Sequence, residues 1–386
     1  MNSMLNCHIC RGCLDEFESF SDLHQVTSDC RPWRRGGSLC ICQSCGTVQK
    51  PVTKNWLHET KKIYSNYEMY SINGSTVFGN NETVGETRPK KIIRWLNECA
   101  NLPRKGKLLE VGFGSGSFLR DFSEIFTNWE ISGLEIDRQN KESLKTINGD
   151  KKIYFDNLES CKDKFDLIVL IHSLEHIPYT KDYLKNLIQF LKHTGSIFVD
   201  VPDLENAPFD ILVADHCTHF TFNSLKLLMK LVGIETTICK KHIIPKELFF
   251  LGSLIQEDSS MNRDKDLVSE NYENQRILVV EQCKWLKTSL DNIKRTRGKY
   301  GVFGSSIAAT WLVNSLGDKI VFFLDEDLSR VGKTHMERQI YSPSNFPKGF
   351  KILLPLRHDI ARVLVKRLSM QELDCVLLPM QEDIST

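Results

Sequence analysis

Hydrophobic and polar residues alternate with two different periods through the middle of the chain. Segments such as 180–192 place apolar residues at helical spacing, whereas short apolar runs between them are typical of strands. These runs lie at 107–111, 129–136, 152–155, 165–173 and 196–202. Strands that alternate with helices indicate βαβ units, so we predict an α/β fold with a mostly parallel sheet.

Helical and strand-like segments also follow one another toward the C-terminus. Beyond residue 220 we predict a helix that ends at Gly233, and then two strands over 234–244 and 247–255. A polar stretch at 258–266 precedes a long helical pattern over 267–297. A second strand, glycine turn, helix and strand follow over 299–327, which predicts another α/β unit.

The first 87 residues show little periodicity. They hold turn-forming residues, many cysteines and a Tyr/Asn-rich stretch over 63–86 that indicates an irregular arm. The predicted organisation is a small module over 1–55, an arm over 56–87, a central domain over 88–257, a linker and long helix over 258–298, and a smaller Rossmann-like domain over 299–386.

Composition excludes several classes of partner. The 386 residues carry a formal net charge of +1, so no basic excess points to nucleic acid. No apolar run approaches the roughly 20 residues of a membrane span. The start, "MNSMLNCHIC", has neither the charged nor the apolar region of a signal peptide. We therefore expect a cytoplasmic protein without nucleic-acid or membrane partners.

A glycine-rich loop carries the first candidate chemistry. In "LLEVGFGSGSFL", Glu110 lies near the end of a predicted strand, and three glycines follow before a helix: Gly112, Gly114 and Gly116. Glycines suit a sharp turn at which a ligand approaches the main chain. The next strand ends in "GLEID", where Glu135, or alternatively Asp137, can accept hydrogen bonds from both ribose hydroxyls.

This loop resembles the cofactor loop of class I S-adenosylmethionine (SAM)-dependent methyltransferases, and "FDLIVLIHSLEHIPY" resembles their fourth strand and following helix. The resemblance implies a seven-stranded sheet with SAM across the carboxyl ends of the first two strands. It places the glycines under the methionine, Glu135 at the ribose, Asp156 near the adenine and His172 near the sulfonium. A nicotinamide dehydrogenase is the alternative, but its spacing needs glycine where Ser117 stands. A glycine turn without a ligand is the other alternative.

Seven of the 13 cysteines lie in the first 45 residues. An odd total without a secretion signal argues against a disulfide framework. Two C-x-x-C pairs separated by 31 residues predict a structural zinc ion: Cys7 with Cys10, and Cys42 with Cys45. Three further cysteines can replace a ligand: Cys13, Cys30 and Cys40. A redox thiol pair or buried free cysteines are the alternatives.

A zinc module ending in "CQSCGTVQ", a SAM domain and a second α/β domain together resemble the C-methyltransferases of nucleotide-linked deoxysugar pathways. Those relatives methylate a carbon next to a keto group on a dTDP-sugar. The resemblance implies that the C-terminal unit helps to form the sugar-nucleotide site. That unit has one loop glycine, Gly304, and acids at Asp325 and Asp327, so full dinucleotide binding is not expected. A packing or dimer-forming role is the alternative.

Candidate acceptor residues follow the fourth and fifth strands. The same resemblance implies that in "ADHCTHF" His216 is the base, oriented by Asp215, with His219 close behind, and that His176 lies near the substrate. Each histidine can instead be structural, and a metal at this segment is a further alternative. The arm can supply a phenol to the sugar or simply pack on the domain; its tyrosines are Tyr64, Tyr67 and Tyr70.

The sequence thus predicts a SAM-dependent methyltransferase that acts on a small polar metabolite, preferably a nucleotide-linked ketosugar methylated on carbon. Methylation of a sugar or another small molecule on oxygen is the alternative within enzymes. A zinc-containing binding protein without activity is the alternative outside them. We expect a monomer or a homodimer.

Overall fold

The computed structural model describes residues 5–67, 87–136, 147, 151–241, 243–255, 267–369 and 373–379. The chain divides into two compact units. The first unit comprises Met1–Cys13, Ser71–Ala207 and Cys217–Val268, and the second comprises Leu14–Tyr70, Pro208–His216 and Ser269–Thr386. The short segment 208–216 therefore belongs to the second unit, although the residues on either side of it in the sequence belong to the first.

The N-terminal part of the second unit contains short strands, a 3₁₀ helix over Glu18–Asp22 and one α-helix. The strands and the α-helix are named in chain order. They are β1 (Leu14–Glu16), β2 (Gln25–Val26), β3 (Pro32–Trp33), β4 (Cys40–Cys42), β5 (Val48–Gln49) and α1 (Lys54–Ser65). Strands β1 and β5 both pair antiparallel with β4, and β2 pairs with β3. Because α1 extends to Ser65, the first residues of the predicted irregular arm are helical, and its residues 68–86 lie outside the described part of the chain.

The first unit alternates helices and strands as predicted. In chain order they are α2 (Arg88–Cys99), β6 (Gly106–Val111), α3 (Ser117–Ile125), β7 (Trp129–Glu135), β8 (Lys151–Phe155), β9 (Phe165–Ile171), α4 (Thr180–Leu187), β10 (Leu191–Pro202), β11 (Thr218–His219), α5 (Phe222–Val232), β12 (Ile234–Lys241) and β13 (Glu247–Leu254). Helix α5 begins with a capping box from Thr221 and Ser224, and it ends at Gly233, whose φ of 89° only glycine adopts readily.

Within the described residues, the sheet of the first unit has seven strands in the order β12-β13-β10-β9-β6-β7-β8. Neighbouring strands are parallel except for β13, which runs antiparallel to both β10 and β12. The chain leaves β6 toward β7 on one side and later returns to β9 on the other. This reversal opens a crevice at the carboxyl ends of β6 and β9, where ligands bind in open α/β sheets.

Apolar faces of the helices pack on this sheet. Helix α2 buries Ile92, Ile93, Trp95 and Leu96, whose spacing forms one helical face. Trp95 meets Phe249 edge to face at 5.3 Å between ring centroids, and Phe198 meets Phe249 at 5.2 Å. This packing fixes the strands whose carboxyl ends carry the candidate residues.

The rest of the second unit is a smaller α/β assembly. It contains α6 (Leu267–Arg295), β14 (Tyr300–Phe303), α7 (Ile307–Leu316), β15 (Ile320–Leu324), β16 (Thr334–His335), β17 (Arg338–Tyr341), β18 (Lys351–Leu354), α8 (His358–Ser369) and β19 (Cys375–Leu377). Its described strands form a six-stranded sheet in the order β16-β17-β15-β14-β18-β19, parallel except for β16. None of the described helices combines the length and the apolar character of a membrane span.

Candidate functional site

The predicted glycine loop forms the turn between β6 and α3. Its three glycines have positive φ angles: Gly112 (73°), Gly114 (50°) and Gly116 (69°). At Gly112 the backbone N–H donates to Leu134 O at 2.8 Å, and a Cβ atom would lie 2.8 Å from Ser173 Cβ. The turn therefore needs glycine for its conformation and, at Gly112, also for space.

Two carboxyl groups flank this turn. Burial, together with the nearby Glu135, raises the pKa of Glu110 well above its usual range. In the described part of the chain, Glu110 Oε2 has no hydrogen-bond partner. Glu135 accepts from Gly114 N at 2.9 Å and from Ile136 N at 2.7 Å. Glu135 thus lies on the turn, whereas the alternative ribose acid, Asp137, lies outside the described residues.

These observations fit a polar cofactor such as SAM. The buried Glu110 oxygen offers an unused acceptor beside the turn, and Gly112 leaves no room for a side chain. Asp156 directly follows β8, and His172 directly follows β9, although the predicted strand continued to residue 173. Both have the left-handed backbone that non-glycine residues rarely adopt, with φ of 67° and 46°. Such strain concentrates at functional sites.

A buried ion network surrounds His172. Its Nδ1 lies 3.3 Å from Glu175 Oε1, and its Nε2 lies 3.2 Å from Glu247 Oε1. Arg88 contacts Asp200 at 2.8 Å and Glu247 at 3.0 Å. Burial and the Arg88 cation oppose a charged imidazole, but the carboxylates outweigh them and raise the pKa of His172 to about 10.

At neutral pH His172 is therefore an imidazolium with both ring nitrogens facing carboxylates. A cation repels the positive sulfonium of SAM, so the electrostatics disfavour direct contact between the two. Asp200 and Glu247 offer ligand atoms that suit a metal ion, but the Arg88 guanidinium already supplies a cation there. We therefore interpret this network as a support that holds the loop after β9.

In the second unit, the segment 208–216 is held along its length by the N-terminal strands and α1. The fully buried Lys50 donates through Nζ to Ile211 O at 2.9 Å and to Val213 O at 2.6 Å. Ala214 N donates to Val26 O at 2.7 Å, and Trp56 Nε1 donates to Ala214 O at 3.1 Å. These contacts fix the backbone that carries His216.

The carboxylate that faces His216 is Asp210. The distance from His216 Nδ1 to Asp210 Oδ1 is 2.8 Å, and both side chains are buried. Asp215 instead accepts from Ser28 N at 2.9 Å and from the Ser28 hydroxyl. The predicted orientation of His216 by Asp215 is therefore corrected, because the side chain of a sequence neighbour points elsewhere once this turn forms.

His176 and His219 belong to the first unit. His176 lies in the one-turn helix Leu174–His176 that follows β9, and His219 is fully buried in β11. Cys217 N donates to Glu175 O at 2.8 Å, which brings these two short segments together. Both histidines thus lie near the carboxyl end of β9.

The described tyrosines of the arm lie at the end of α1. Tyr64 is partly exposed, and its ring lies 5.7 Å from that of Tyr67. Burial raises the pKa of Tyr67 to about 12, with Ser28 and Asp215 nearby. At neutral pH Tyr67 is therefore a protonated phenol that can hydrogen-bond a ligand. The third predicted tyrosine, Tyr70, lies outside the described residues.

The cysteine pairs form two tight turns. In the first, the backbone N–H groups of Ile9 and Cys10 point at Cys7 Sγ at 3.4 Å and 3.5 Å. In the second, Gly46 N donates to Cys42 O at 2.8 Å. Amides that point at sulfur stabilise thiolates, which are the zinc-binding form. Within each pair the two sulfur atoms lie within 4.8 Å of one another: Cys7 and Cys10 in the first unit, and Cys42 and Cys45 in the second.

In the C-terminal sheet, the acid next to the glycine turn already accepts a hydrogen bond from within the protein. Asp325, at the end of β15, accepts from Ser305 Oγ at 2.6 Å, and Arg330 Nη1 lies 3.4 Å from the same carboxylate. In dinucleotide sites the equivalent acid binds a ribose. The expectation that this unit does not bind a full dinucleotide stays a prediction.

Sequence reasoning did not identify Asp210, Ser28, Lys50 or Arg88. A buried lysine carries no local signal, because lysine on a short strand is usually exposed. Asp210 lies six residues before His216, a spacing that no regular helix or strand brings together. The sequence "FDILVADH" does, however, contain two acids near one histidine, so it also allowed a pairing of His216 with Asp210.

A family model described as a methyltransferase domain matches residues 84–237. No curated protein matches the chain. This match spans the strands β6–β10 and the glycine turn, which are the elements that build the crevice.

Several solved structures are similar to part of the chain. A SAM-dependent methyltransferase from Clostridium acetobutylicum ATCC 824 is 13% identical and covers 44% of this chain and 91% of its own, with a TM-score of 0.37. A protein from Pyrococcus horikoshii OT3 is 17% identical over 43% of this chain and 89% of its own, with a TM-score of 0.36. An O-methyltransferase family 2 protein from Planctomyces limnophilus DSM 3776, in complex with apigenin, is 13% identical over 43% and 56%, with a TM-score of 0.36.

Similarities of this size do not constrain the substrate. The assignment of the enzyme type rests on the family match and on the glycine turn with its two acids. Residues 84–237 therefore match a methyltransferase domain, and the protein is an enzyme of the SAM-dependent methyltransferase type.

Proposed function

We propose that this enzyme transfers a methyl group from SAM to a carbon atom of a nucleotide-linked ketosugar, with His216 as the base. The observation that carries the proposal is the buried pair of His216 and Asp210, 2.8 Å apart. An imidazole beside a carboxylate, in a segment fixed by Lys50, is suited to accept a proton. The sugar and the carbon acceptor follow from the resemblance of the whole chain to deoxysugar C-methyltransferases.

The glycine turn would hold the cofactor, and bound SAM supplies an electrophilic methyl carbon. Gly112, Gly114 and Gly116 would let the backbone pass under its methionine part. Glu135 would accept from the ribose hydroxyls, and Asp156 would lie near the adenine. Glu110 would receive a hydrogen bond on its unpartnered oxygen.

On the acceptor side, a ketone acidifies the neighbouring C–H bond, and His216 would remove that proton. The protonated phenol of Tyr67 would hydrogen-bond the sugar, together with Tyr64 and Tyr70 of the same arm. His176 and His219 would line the acceptor position. Alignment of the acceptor carbon with the methyl group then supplies most of the rate enhancement, through proximity.

We also propose that Cys7, Cys10, Cys42 and Cys45 hold a structural zinc ion. The support is chemical: four sulfur ligands make a closed tetrahedral site, and backbone amides already point at the sulfur atoms of Cys7 and Cys10. A site with four protein ligands leaves no position open for substrate, so the ion would act on folding only.

The proposed function is tested by mass spectrometry of a panel of dTDP-ketosugars incubated with the enzyme and SAM in deuterated water. We expect one sugar to gain a methyl group on carbon next to its ketone. Without SAM, the same position should exchange hydrogen for deuterium, because His216 acts before methyl transfer. A product methylated on oxygen contradicts the proposal.

A matched pair of variants links the exchange to the base. His216→Gln should abolish deuterium exchange and methyl transfer while SAM affinity, measured by calorimetry, stays the same. His193→Gln, at an exposed histidine, should behave as the wild type. Exchange that persists in His216→Gln would show that another residue is the base.

A further inference from the structure

The loop after β9 carries a serine whose hydroxyl makes no hydrogen bond within the described part of the chain. Ser173 Oγ is buried, although the residue as a whole is only half-buried. We propose that this hydroxyl binds the α-carboxylate of SAM, while the unpartnered oxygen of Glu110 takes the ammonium group of the same amino-acid end. The inference deepens the proposed function, since it rests on SAM at the glycine turn but not on the identity of the acceptor.

Ser173 lies against the glycine turn. A Cβ atom on Gly112 would lie 2.8 Å from Ser173 Cβ and 3.5 Å from Ser173 Oγ. Glu110 precedes Gly112 by two residues and is 3% exposed. Among the described residues, its Oε2 and Ser173 Oγ both lack a hydrogen-bond partner. Buried polar atoms are seldom left unpaired, so two of them at the carboxyl ends of β6 and β9 indicate a polar ligand in the crevice.

The usual role of a serine at this position is not used. Ser173 occupies the N-cap of the one-turn helix Leu174–His176, where a serine side chain commonly accepts a hydrogen bond from a backbone N–H of the helix. The Ser173 side chain makes no such bond. The helix turn is closed by the backbone instead, because His176 N donates to the Ser173 carbonyl oxygen at 3.1 Å. The hydroxyl therefore does not stabilise the helix that it precedes.

Other groups hold this loop in place. His172 N donates to Asp200 O at 2.9 Å, which ties the loop to β10. The two nitrogens of the His172 ring lie beside Glu175 and Glu247. The backbone next to Ser173 is thus fixed without help from its hydroxyl. Because a buried hydroxyl without a partner costs free energy of folding, its presence is better explained by a ligand than by the fold.

The two unpartnered groups match the two charges at the amino-acid end of SAM. A carboxylate oxygen only accepts hydrogen bonds, so Glu110 suits the ammonium group. A hydroxyl can donate, so Ser173 suits the carboxylate, and a hydrogen bond to a charged group is stronger than one between neutral groups. The reverse arrangement would bring the carboxylate of SAM to Glu110, where like charges repel. Rotation about the Cα–Cβ bond of the half-buried Ser173 can turn its hydroxyl toward the ligand.

Calorimetric binding of three ligands tests the inference without any acceptor. S-adenosylhomocysteine carries the complete amino-acid end, decarboxylated SAM keeps the ammonium group alone, and methylthioadenosine lacks both groups. We expect Ser173→Ala to weaken the binding of S-adenosylhomocysteine roughly tenfold or more, because a hydrogen bond to a charged group is lost. Its affinities for decarboxylated SAM and for methylthioadenosine should equal those of the wild type, because neither ligand has the carboxylate.

Two further variants complete the comparison. Glu110→Gln should weaken S-adenosylhomocysteine and decarboxylated SAM alike and leave methylthioadenosine unchanged, because the first two ligands share the ammonium group. Ser160→Ala, at an exposed serine, is the matched control and should bind all three ligands as the wild type does. Without ligand, Ser173→Ala should unfold at the wild-type temperature or slightly above it, since the change removes a hydroxyl that has no partner.

Three results overturn the inference. The first is a Ser173→Ala variant that binds S-adenosylhomocysteine as tightly as the wild type, and the second is an equal loss of affinity for decarboxylated SAM, which would assign the hydroxyl to another part of the cofactor. The third is a lower unfolding temperature of ligand-free Ser173→Ala, which would reveal a partner within the protein. All three concern the cofactor alone, so the inference can fail while a dTDP-ketosugar is methylated on carbon, and it can hold when none is.

Discussion

Glu110 is a single residue whose burial lowers stability and whose unpartnered oxygen suits a ligand. Its carboxyl group is buried with one unpartnered oxygen, and burial raises its pKa well above the usual 4.5. A carboxyl that prefers to be neutral in the folded state costs stability as pH rises above its unfolded pKa. Such a cost is common at binding sites, where a ligand later supplies the missing partner.

We predict that Glu110→Gln stabilises the SAM-free protein and weakens SAM binding. Glutamine has the same shape without the charge, so the gain should be about 1 kcal/mol at neutral pH and should vanish below about pH 4.5. The affinity for SAM should fall roughly tenfold, because a charged acceptor is lost. Thermal unfolding across pH and calorimetry measure the two effects.

Glu124→Gln is the matched control, at an exposed acid of α3. It should change neither stability nor SAM affinity. A Glu110→Gln variant that is less stable and still binds SAM normally would show that Glu110 has a structural partner instead.

His172 should make stability depend on pH in the alkaline range. Its pKa is raised from 6.5 to about 10 by Glu175 and Glu247, against the effects of burial and Arg88. A histidine whose folded pKa is raised contributes stability that is fully present below pH 6.5 and is lost as pH rises toward 10. Urea unfolding should show a declining free energy of unfolding over this range.

In His172→Gln that decline should be shallower, whereas His193→Gln, at an exposed histidine, should keep the wild-type slope. Identical slopes in wild type and His172→Gln would mean that His172 does not gain a proton on folding. His172 lowers the pKa of both Asp200 and Glu247, so the difference between slopes reports the coupled titration of His172 and these acids.

At the scale of elements, the local hydrophobic pattern sets the bounds of most strands, whereas strand pairing sets the bounds of β10. The strands β6, β7, β8 and β9 begin and end within two residues of the predicted runs, because each is a short apolar run with turn formers beside it. Strand β10 is the exception: it begins at Leu191, where a helix was predicted to continue to 192. Leu191 pairs with Phe165, and a register shift separates it from Ser196. That pairing, rather than local propensity, makes these residues extended.

Lys50 links two elements of the second unit, β5 and the segment 208–216. We predict that Lys50→Met destabilises the protein by about 2 kcal/mol or more, since the buried carbonyls of Ile211 and Val213 lose their donor. Hydrogen–deuterium exchange should rise in residues 208–216 and stay unchanged in α3.

Lys54→Met, at an exposed lysine that begins α1, is the control and should leave both measurements unchanged. If Lys50→Met is as stable as the wild type, the segment is held by its remaining contacts, and Lys50 does not position His216.

At the scale of the whole molecule, the chain carries an N-terminal cysteine module, a methyltransferase domain and a second α/β sheet. The domain boundaries predicted from the sequence remain a prediction. The module should be the part whose folding depends on metal, because a small segment with short strands has little core of its own.

We predict one zinc ion per chain in protein purified without chelator, measured by elemental mass spectrometry. Cys42→Ser should lose the ion and lower the thermal stability, because four ligands are needed for a closed site. Cys13→Ser, at an exposed cysteine, should retain it. A metal-free wild type with full stability would favour the alternative of buried free cysteines.

The sequence alone determined what depends on neighbours in the chain. Glycines at alternate positions after an apolar strand require a turn, and acids at the ends of successive parallel strands meet at one edge of the sheet. The cofactor candidates Glu110, Gly112 and Glu135 were therefore accessible without a structure. The spacing within each C-x-x-C pair likewise depends only on neighbours in the chain.

Only the tertiary structure decided which side chains face one another across distant segments. Asp210, rather than the adjacent Asp215, contacts His216, because two successive turns reverse the direction of the chain. Arg88 comes from a helix more than a hundred residues before Asp200, and Lys50, which directly follows β5, lies far before Val213 in the sequence. Hydrogen bonds depend on distances in space that sequence spacing does not encode, and so the partners of the proposed base became visible only in the folded chain.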